Sequence, residues 1–511
     1  MNSETAWHIV LTLMSGALFF DTARAGAQDN PLGQFETHAD IGAPALAGSA
    51  SYSVANQEYT LSAAGTNMWF GRDQFHFAWK PIKGDFILRT RAEFVGQGAD
   101  AHRKLGWMVR PNLDADAPYA DCAEHGDGHT SLQFRRARGA NTEQIVLPVT
   151  NASVLQFERK ANTYVFSAAR YGEPFVSRAL TNLDLGDDVC TGLFLCSHRG
   201  DTVESARFRD VRLIRPAKEG FTPYRDYIGC ALEILDVHTG RLEEVYRSKQ
   251  PFEAPNWTTD GKALIYNTSG RAEGWGRLVR FDLAAKMPTL IDSGFAIQNN
   301  NDHVLSFDGA RLGISDQSAP GGQSVIYTLP AVGGTPKRIT PLTPSYLHGW
   351  SPDGKWLVYT GGRTNKYDIY KTPSDGSGSE IRLTDSPGLN DGPEFTPDGK
   401  FIYFNSSRSG RMQLWRMKPD GTAQEQVTND EFNNWFPHIS PDGKWIAFLS
   451  YSSDIAPTDH PYYKQVYLRL MPAAGGDAKV VAYLYGGQGT INVPSWSPDS
   501  QRLAFVSNMA L

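Results

Sequence analysis

The stretch Gly349-Trp350-Ser351-Pro352-Asp353-Gly354-Lys355-Trp356-Leu357-Val358-Tyr359 decides the fold of this chain. It contains two short apolar strands joined by a turn. Serine, proline and glycine at the first, second and fourth turn positions favour a type I β-turn. The alternation of large side chains after the turn is typical of a strand with one buried face.

Variants of this hairpin recur at residues 256–262, 306–309, 395–400, 439–444 and 496–500. Their turn aspartates follow one another at intervals of 48, 45, 45, 44 and 57 residues. A repeat of about 40–50 residues built from short strands is the signature of a propeller blade. Each repeat also has a second half, such as residues 367–384, which predicts two further strands and therefore four strands per blade.

The two ends of the repeat array predict a closed ring. The last repeat stops after two strands, and an unassigned pair of strands at 231–236 and 242–246 precedes the first full repeat. Two strands from each end complete one blade, which makes six with the five full blades. Closure of this kind removes the open sheet edge that would invite aggregation.

The repeated Trp-Ser-Pro-Asp-Gly-Lys units resemble the propeller repeats of the TolB family, named after the periplasmic component of the Tol-Pal envelope system. The resemblance covers roughly residues 225–511 and implies a six-bladed β-propeller. It implies less about function, because similar repeats occur in peptidase propellers, lyases and sugar-binding proteins. TolB carries a smaller α/β domain before its propeller, whereas this chain carries a β-rich region, so a direct role in Tol-Pal is not implied.

Residues 41–216 read as an all-β domain, with about ten strands separated by Gly, Asn, Asp or Pro. This number of antiparallel strands favours a β-sandwich or jelly roll. The segments 84–91, 105–110 and 208–214 resemble the concanavalin/laminin-G-type jelly roll, which implies a glycan-binding module. Residues 217–224 would then be a linker, and the propeller would occupy residues 225–511.

The chain begins with an apolar run at residues 8–20 and a small-residue cleavage site at 23–27, which predict a signal peptide over residues 1–27. A buried N-terminal strand or a misplaced start codon stays open, because residues 1–7 carry Glu4 and no Lys or Arg. A polar leader spans residues 28–40, and no other stretch is apolar enough to cross a membrane. We therefore expect a periplasmic or secreted protein.

The net charge of −6, without a long basic run, argues against nucleic-acid partners. Cys190 and Cys196 are predicted on one strand, about 20 Å apart, which is too far for them to pair with each other. A disulfide from either one to Cys122 stays open beside the alternative that all are buried thiols. Cys230 is the fourth cysteine.

Two features of the N-terminal region are candidate ligand sites. Residues 111–129 combine acids, histidines and Tyr119, as in a loop that binds a sugar or Ca²⁺ through oxygens, but the acids do not follow the EF-hand spacing and a solvated turn with Asp-Gly hairpin chemistry explains them better. The second feature is a group of aromatic side chains that would form either a sugar-stacking platform or part of the core, namely Trp69, Phe75, His76, Phe77 and Trp79.

The propeller channel offers a third candidate site, because the innermost strand of each blade lines the channel. The residue seven before each turn aspartate is polar or aromatic in every repeat. The residue five before is proline in four repeats but His303 and His348 in two neighbouring ones. We therefore predict a polar ligand pocket at one channel mouth. Its candidate lining residues are Glu253, Asn301, Asp302, His303, Tyr346, His348, Asp391, Asn434, Trp435 and Asn492.

Two kinds of chemistry fit this set. Two histidines and a carboxylate are a ligand set for a divalent metal. Alternatively, a histidine base and a tyrosine acid could abstract a proton next to a uronate carboxylate, as a polysaccharide lyase does. The catalytic candidates for that reaction are His303, Tyr346, His348 and Asp391.

Other catalytic templates, such as a nucleophile elbow, a P-loop or a zinc-protease helix motif, are missing from the sequence. An insertion at residues 452–464 accounts for the 57-residue interval and is the one long loop of the array. The sequence favours an exported, non-enzymatic binding protein whose partner is a carbohydrate or an envelope protein. The alternative is a carbohydrate-active enzyme, a lyase or glycosidase, with its site at the channel mouth.

Overall fold

The structure is a computed structural model that describes residues 31–222, 225–269 and 276–509. These residues form 37 β-strands and no helix. Consequently, the described part of the chain offers no helix with the length and apolar character needed to cross a membrane. The predicted signal peptide lies outside the described residues.

The first fourteen strands form two antiparallel sheets of seven strands each. The first sheet has the order β1-β4-β13-β6-β7-β8-β9, and the second has the order β12-β11-β10-β5-β14-β3-β2. Trp107 and Leu132 of the first sheet meet Phe157 and Phe208 of the second in one hydrophobic core. The strands are β1 Thr37–Ile41, β2 Ser49–Ser53, β3 Glu58–Gly65, β4 Phe75–Lys83, β5 Phe86–Val95, β6 Lys104–Arg110, β7 Tyr119–His125, β8 His129–Arg135, β9 Glu143–Thr150, β10 Val154–Lys160, β11 Thr163–Ala169, β12 Val176–Leu180, β13 Asp188–Cys196 and β14 Arg199–Ile214.

The structure has fourteen strands in this region, against about ten expected from the sequence. Strand β7 replaces part of the expected acidic loop, and all seven of its side chains are buried. Both interpretations of residues 119–125, as a sugar or Ca²⁺ loop and as a solvated turn, are therefore wrong. The end of the expected leader also belongs to this region. Phe35 is buried in the core between the two sheets, and strand β1 pairs with β4 in the first sheet.

Of the expected aromatic platform, Trp69 and Trp79 are partly exposed, but Phe75 and Phe77 are fully buried and not available to a sugar. Segment 66–74 packs over their face of the sheet, where Met68 joins them in a second apolar cluster. His76 is also buried, and its Nδ1 lies 2.7 Å from Oδ1 of Asp40. Stacking on a pyranose requires an exposed ring face, so Phe75, His76 and Phe77 serve the core instead.

An ion cluster holds segment 66–74 in place. Arg135 donates two hydrogen bonds to the carboxylate of Asp73, at 2.6 and 3.0 Å, and Arg110 lies 3.4 Å from the same carboxylate. All three side chains are fully buried. Bidentate, charge-assisted hydrogen bonds of this kind both stabilise the fold and fix the relative orientation of the two side chains.

All four cysteines are free thiols. Cys122 points into the core between the two sheets, whereas Cys196 belongs to the cluster on the other face of its sheet. The disulfide to Cys122 that the sequence left open is therefore wrong.

The remaining strands form a closed propeller of six blades. Five blades are four-stranded antiparallel sheets in chain order. Their strands are β17 Phe252–Trp257, β18 Ala263–Thr268, β19 Leu278–Asp282 and β20 Met287–Leu290; β21 Asn299–Leu305, β22 Arg311–Ala319, β23 Gln323–Pro330 and β24 Lys337–Arg338; β25 Ser345–Trp350, β26 Trp356–Arg363, β27 Lys366–Pro373 and β28 Ile381–Arg382; β29 Asn390–Phe395, β30 Ile402–Ser406, β31 Gln413–Met417 and β32 Glu425–Gln426; and β33 Asn433–Ile439, β34 Trp445–Tyr451, β35 Lys464–Pro472 and β36 Lys479–Gly486.

The sixth blade joins the two ends of the array, as the sequence predicts. Its sheet has the order β16-β15-β37, with β15 at Cys230–Asp236, β16 at Leu242–Ser248 and β37 at Arg502–Asn508. The innermost position is reduced to a single bridge between Trp496 and Leu503. Strand β15 pairs with β37 along its whole length, so the ring has no open edge at this point.

The recurring turn owes its shape to a short hydrogen-bond relay. In the central copy, the Ser351 hydroxyl donates to Asp353 at 2.6 Å, and the amide of Trp356 donates back to the same hydroxyl at 2.9 Å. Gly354 adopts a φ of 68°, which favours glycine. Trp350, just before the turn, donates to the carbonyl of Val304 at 2.9 Å and thereby ties its blade to the preceding one.

The two-sheet region packs against the side of the propeller. Tyr171 donates to the carbonyl of Val481 in strand β36, and the amide of Val480 donates to the carbonyl of Gly172. A buried ion pair of 2.6 Å joins Arg212 of β14 to Glu233 of β15. These contacts involve the outer strands of one blade and the closing blade.

Candidate functional site

A bulge interrupts the innermost strand of each four-stranded blade. The pairing register shifts between Glu253 and Asn256 in β17, and strands β21, β25, β29 and β33 shift at the matching place. Ala254, Gly392 and Phe436 take positive φ values of 56°, 60° and 55° there. A β-bulge re-aims side chains and is often found beside functional sites.

The bulges surround a cavity of about 350 Å³ at one mouth of the channel. All six blades contribute to it, and none of its lining residues precedes residue 227. The lining residues are Tyr227, Glu253, Asn267, Ser269, Asn299, Asn300, Asn301, Asp302, Gln317, Tyr346, His348, Thr360, Tyr367, Leu389, Asp391, Phe436, His460, Tyr462, Gln488 and Asn492.

Seven of the ten predicted pocket residues lie in this lining: Glu253, Asn301, Asp302, Tyr346, His348, Asp391 and Asn492. The other three point elsewhere. The ring of His303 lies between blades, with Nε2 3.1 Å from the carbonyl oxygen of Ile265. Asn434 accepts a hydrogen bond from Ser450, and Trp435 is fully buried in an apolar cluster. The bulge explains the exchange in β33, because it presents Phe436 to the cavity instead of Trp435.

The centre of the cavity wall is the pair of His348 and Asp391, both of which were predicted. Their Nε2 and Oδ1 atoms are 3.2 Å apart, and the Thr360 hydroxyl donates to the same oxygen at 2.7 Å. Burial opposes charge on both groups, but their mutual attraction outweighs it. It raises the pKa of His348 and lowers the pKa of Asp391 to about 2. The contact therefore favours the imidazolium form of His348 and the carboxylate form of Asp391.

Two further carboxyl groups in the lining behave in the opposite way. Burial raises the pKa of Glu253 to about 7, although it accepts hydrogen bonds from Tyr462 at 2.7 Å and Asn301 at 3.0 Å. Burial and the negative charges of Asp391 and Glu253 raise the pKa of Asp302 to about 7, despite the opposing charge of His348. Both acids therefore change protonation near neutral pH.

The insertion at residues 452–464 supplies residues that the sequence did not identify as part of the site. His460 lies in the cavity lining, and its ring packs edge-on against Trp435 at 4.4 Å. Burial lowers the pKa of His460, which favours a neutral ring. The hydrogen bond from Tyr462 to Glu253 ties this loop across the mouth to a distant blade. Only the unusual length of the insertion pointed to it.

The metal interpretation needs three ligands close together. Across residues 31–222, 225–269 and 276–509, no group of three or more His, Cys, Asp or Glu side chains is arranged to hold a metal ion. His348 and Asp391 bind each other, and His303 faces away from the cavity. The functional interpretation below therefore uses the side chains themselves.

The raised pKa of Asp302 leads to a stability prediction. Because Asp302 has a higher pKa in the folded state, the folded protein loses stability as the pH rises from the unfolded pKa of this acid, about 4, to its folded pKa of about 7. Asp302→Asn removes this penalty, so we expect the variant to gain up to about 4 kcal/mol at pH 8, with a smaller gain at pH 5 and none below pH 4. Urea unfolding of both proteins across this range measures the gain, and an equal gain at every pH would contradict the prediction.

Comparison with known proteins places this geometry in a family context. A family model described as the TolB beta propeller domain matches residues 342–460. An uncharacterised protein of Agrobacterium fabrum is 46% identical over 277 residues, which cover 54% of this chain and 91% of that protein. A solved structure described as a putative TolB from Agrobacterium tumefaciens is 44% identical and has a TM-score of 0.53; the match covers 56% of this chain and 100% of that one. The rest of this chain has no counterpart in that structure.

Proposed function

This chain belongs to the TolB-like β-propeller family, and from that premise we propose that it is an exported binding protein of the cell envelope. Its ligand would occupy the cavity at the channel mouth. The observation that carries the proposal is the convergence of polar side chains from all six blades on one space of about 350 Å³. Small-ligand sites have volumes of about 300–1,000 Å³ and a few converging polar groups.

The energetics of the lining agree with a binding role. Glu253 and Asp302 are 6% and 5% exposed, and burial disfavours their charged forms at neutral pH. Groups that reduce stability are retained where a function needs them. A polar ligand that satisfies these groups would recover part of that lost stability.

For the N-terminal region we propose a jelly roll of the concanavalin or laminin-G type over residues 41–216, joined by residues 217–224 to a propeller over 225–511. The shared core of its two seven-stranded sheets supports this assignment. A glycan-binding role for this region is less well supported, because Phe75 and Phe77 of the predicted aromatic platform are buried. Its contacts with the outer strands of the propeller favour a supporting role, and we place ligand binding in the propeller.

An enzyme that cleaves a carbohydrate is the second candidate. It is favoured by Glu253 and Asp302, because carboxyl groups with a pKa near 7 can give and take protons at neutral pH. A lyase acting on uronates is less well supported than a glycosidase. None of the described lining residues is a lysine or arginine that could face a uronate carboxylate, and His348 is held by Asp391.

Tyr462→Phe tests the binding site. The change removes the hydroxyl that donates to Glu253 and loosens the loop that closes the mouth. We expect about tenfold weaker binding of any ligand that raises the melting temperature in a panel of sugars, amines and short peptides. Tyr327→Phe is the matched control, because Tyr327 also has a hydrogen-bonded hydroxyl, to Ser318, but lies outside the cavity. Equal effects of the two changes would contradict the assignment.

The two candidate functions are separated by incubating the protein with neutral polysaccharides and measuring new reducing ends. Melting-temperature shifts without products are the expected result. Products that disappear in Glu253→Gln and Asp302→Asn would instead establish the enzyme.

A further inference from the structure

The charges that line the cavity are unbalanced. Three carboxyl groups face it, whereas its described lining contains no lysine or arginine. His348 neutralises Asp391, with which it forms the 3.2 Å contact. On the described wall, Asp302 therefore shares the single charge of His348 with Asp391, and Glu253 has no cationic partner.

Tyrosine rings line the same cavity in two pairs. The rings of Tyr227 and Tyr462 are 6.0 Å apart and nearly perpendicular, and those of Tyr346 and Tyr367 are 6.4 Å apart. All four rings belong to the lining, and Tyr367 is 40% exposed at the rim. Aromatic faces attract cations, and this attraction strengthens as water is excluded.

Building on the proposed binding site, we propose that the ligand of this cavity carries a primary ammonium group. Asp302 and Glu253 would hold the ammonium group, with the tyrosine rings around it. The asparagine and glutamine side chains of the wall, such as Asn299 and Gln317, would bind the neighbouring hydroxyl or amide groups of the ligand. Amino sugars and the amines of peptides share this chemistry.

Binding of a cation would be linked to pH. The titratable acids and histidines that face the cavity are Glu253, Asp302, Asp391, His348 and His460. Glu253 and Asp302 have pKa values raised to about 7, so an ammonium group would favour their ionised forms and release protons on binding. For each proton released, affinity should rise about tenfold per pH unit below pH 7, and it should fall again once the ligand amine loses its own proton, which for an α-amino group happens near pH 8.

The test is calorimetric titration of the full chain with glucosamine, N-acetylglucosamine, glucuronate and 1,5-diaminopentane, at pH 5.5 and pH 7, where the amines stay largely charged. Acetylation removes the charge and keeps the sugar, whereas the diamine keeps the charge and removes the sugar. We expect glucosamine to bind more tightly than N-acetylglucosamine, and more tightly at pH 7. If the diamine binds in addition to glucosamine, the cavity is a general amine site. If glucosamine binds and the diamine does not, the cavity is an amino-sugar site.

Asp302→Asn should weaken glucosamine binding at least about tenfold. Asp477→Asn, which removes an exposed acid outside the cavity, should leave it unchanged. Equal binding of glucosamine and N-acetylglucosamine, weakened by Tyr462→Phe, would overturn the ammonium inference and keep the proposed binding site. Preference for glucuronate would overturn the inference too. No binding of any of the four, together with no hit in the wider panel, would overturn both proposals.

Discussion

Replacing Asp391 with asparagine is expected to destabilise the protein by about 3–5 kcal/mol at pH 7, because it leaves the ring of His348 buried without the carboxylate that it pairs with. Asp391 lies 3.2 Å from that ring and also accepts the hydroxyl of Thr360. Its folded pKa of about 2 lies below its ordinary value. The contribution of this carboxylate is therefore lost as the pH falls from about 4 toward 2, whereas the contribution of His348, whose pKa is raised, is lost as the pH rises and the ring gives up its proton. Urea unfolding at pH 7 and pH 3 measures both effects.

A double-mutant cycle provides the control for this prediction. His348→Gln alone leaves a buried carboxylate, whereas the double variant removes both charges. We expect the double variant to be clearly more stable than the sum of the single losses implies. Additive losses would contradict an ion pair between these two residues.

Replacing Asp73 with asparagine is expected to cost the two-sheet region about 3–5 kcal/mol as well, because Arg110 and Arg135 are both fully buried around its carboxylate. The change should also release segment 66–74 from the sheet and uncover Phe75 and Phe77. Chemical unfolding measures the loss, and fluorescence of a dye that binds exposed apolar surface reports the uncovering.

Asp116→Asn is the matched control for this second prediction. Asp116 also pairs with an arginine, Arg138, at 2.9 Å, but both side chains are largely exposed. Exposed pairs contribute about 0–1 kcal/mol, so we expect little loss and no dye binding. Similar losses in Asp73→Asn and Asp116→Asn would contradict the buried cluster.

The propeller could be predicted from sequence because its signal is periodic. The turn built around Ser351 and Asp353 repeats in every blade, and the incomplete strands at the two ends require each other. The same period placed Glu253, Tyr346 and Asp391 correctly around the channel. It could not show the bulges, since an extra residue in a strand changes the direction of side chains without changing the repeat. His303 and Trp435 were misplaced for that reason.

Two other features follow from tertiary contacts alone. His460 and Tyr462 reach the cavity because their loop folds back over the mouth, which no local pattern in the insertion specifies. In the two-sheet region, the acids of residues 119–125 suggested an exposed loop. Asp121 is fully buried in strand β7, and burial raises its pKa well above the ordinary value. Packing by segment 66–74 overrides the local preference of these residues for solvent.

The most direct test of the cavity as a functional site is a pH titration of the protein with ¹³C-labelled carboxyl groups on Asp and Glu. Two carboxyl resonances that titrate near pH 7 should disappear, one in Glu253→Gln and the other in Asp302→Asn, whereas the signal of Glu124, whose pKa burial raises to about 8, should remain in both variants. The carboxyl group of Asp391 should stay ionised down to about pH 2, so its resonance should not shift near pH 7. Titration of all three groups near their ordinary values of about 4 would contradict an enclosed acidic cavity at the channel mouth.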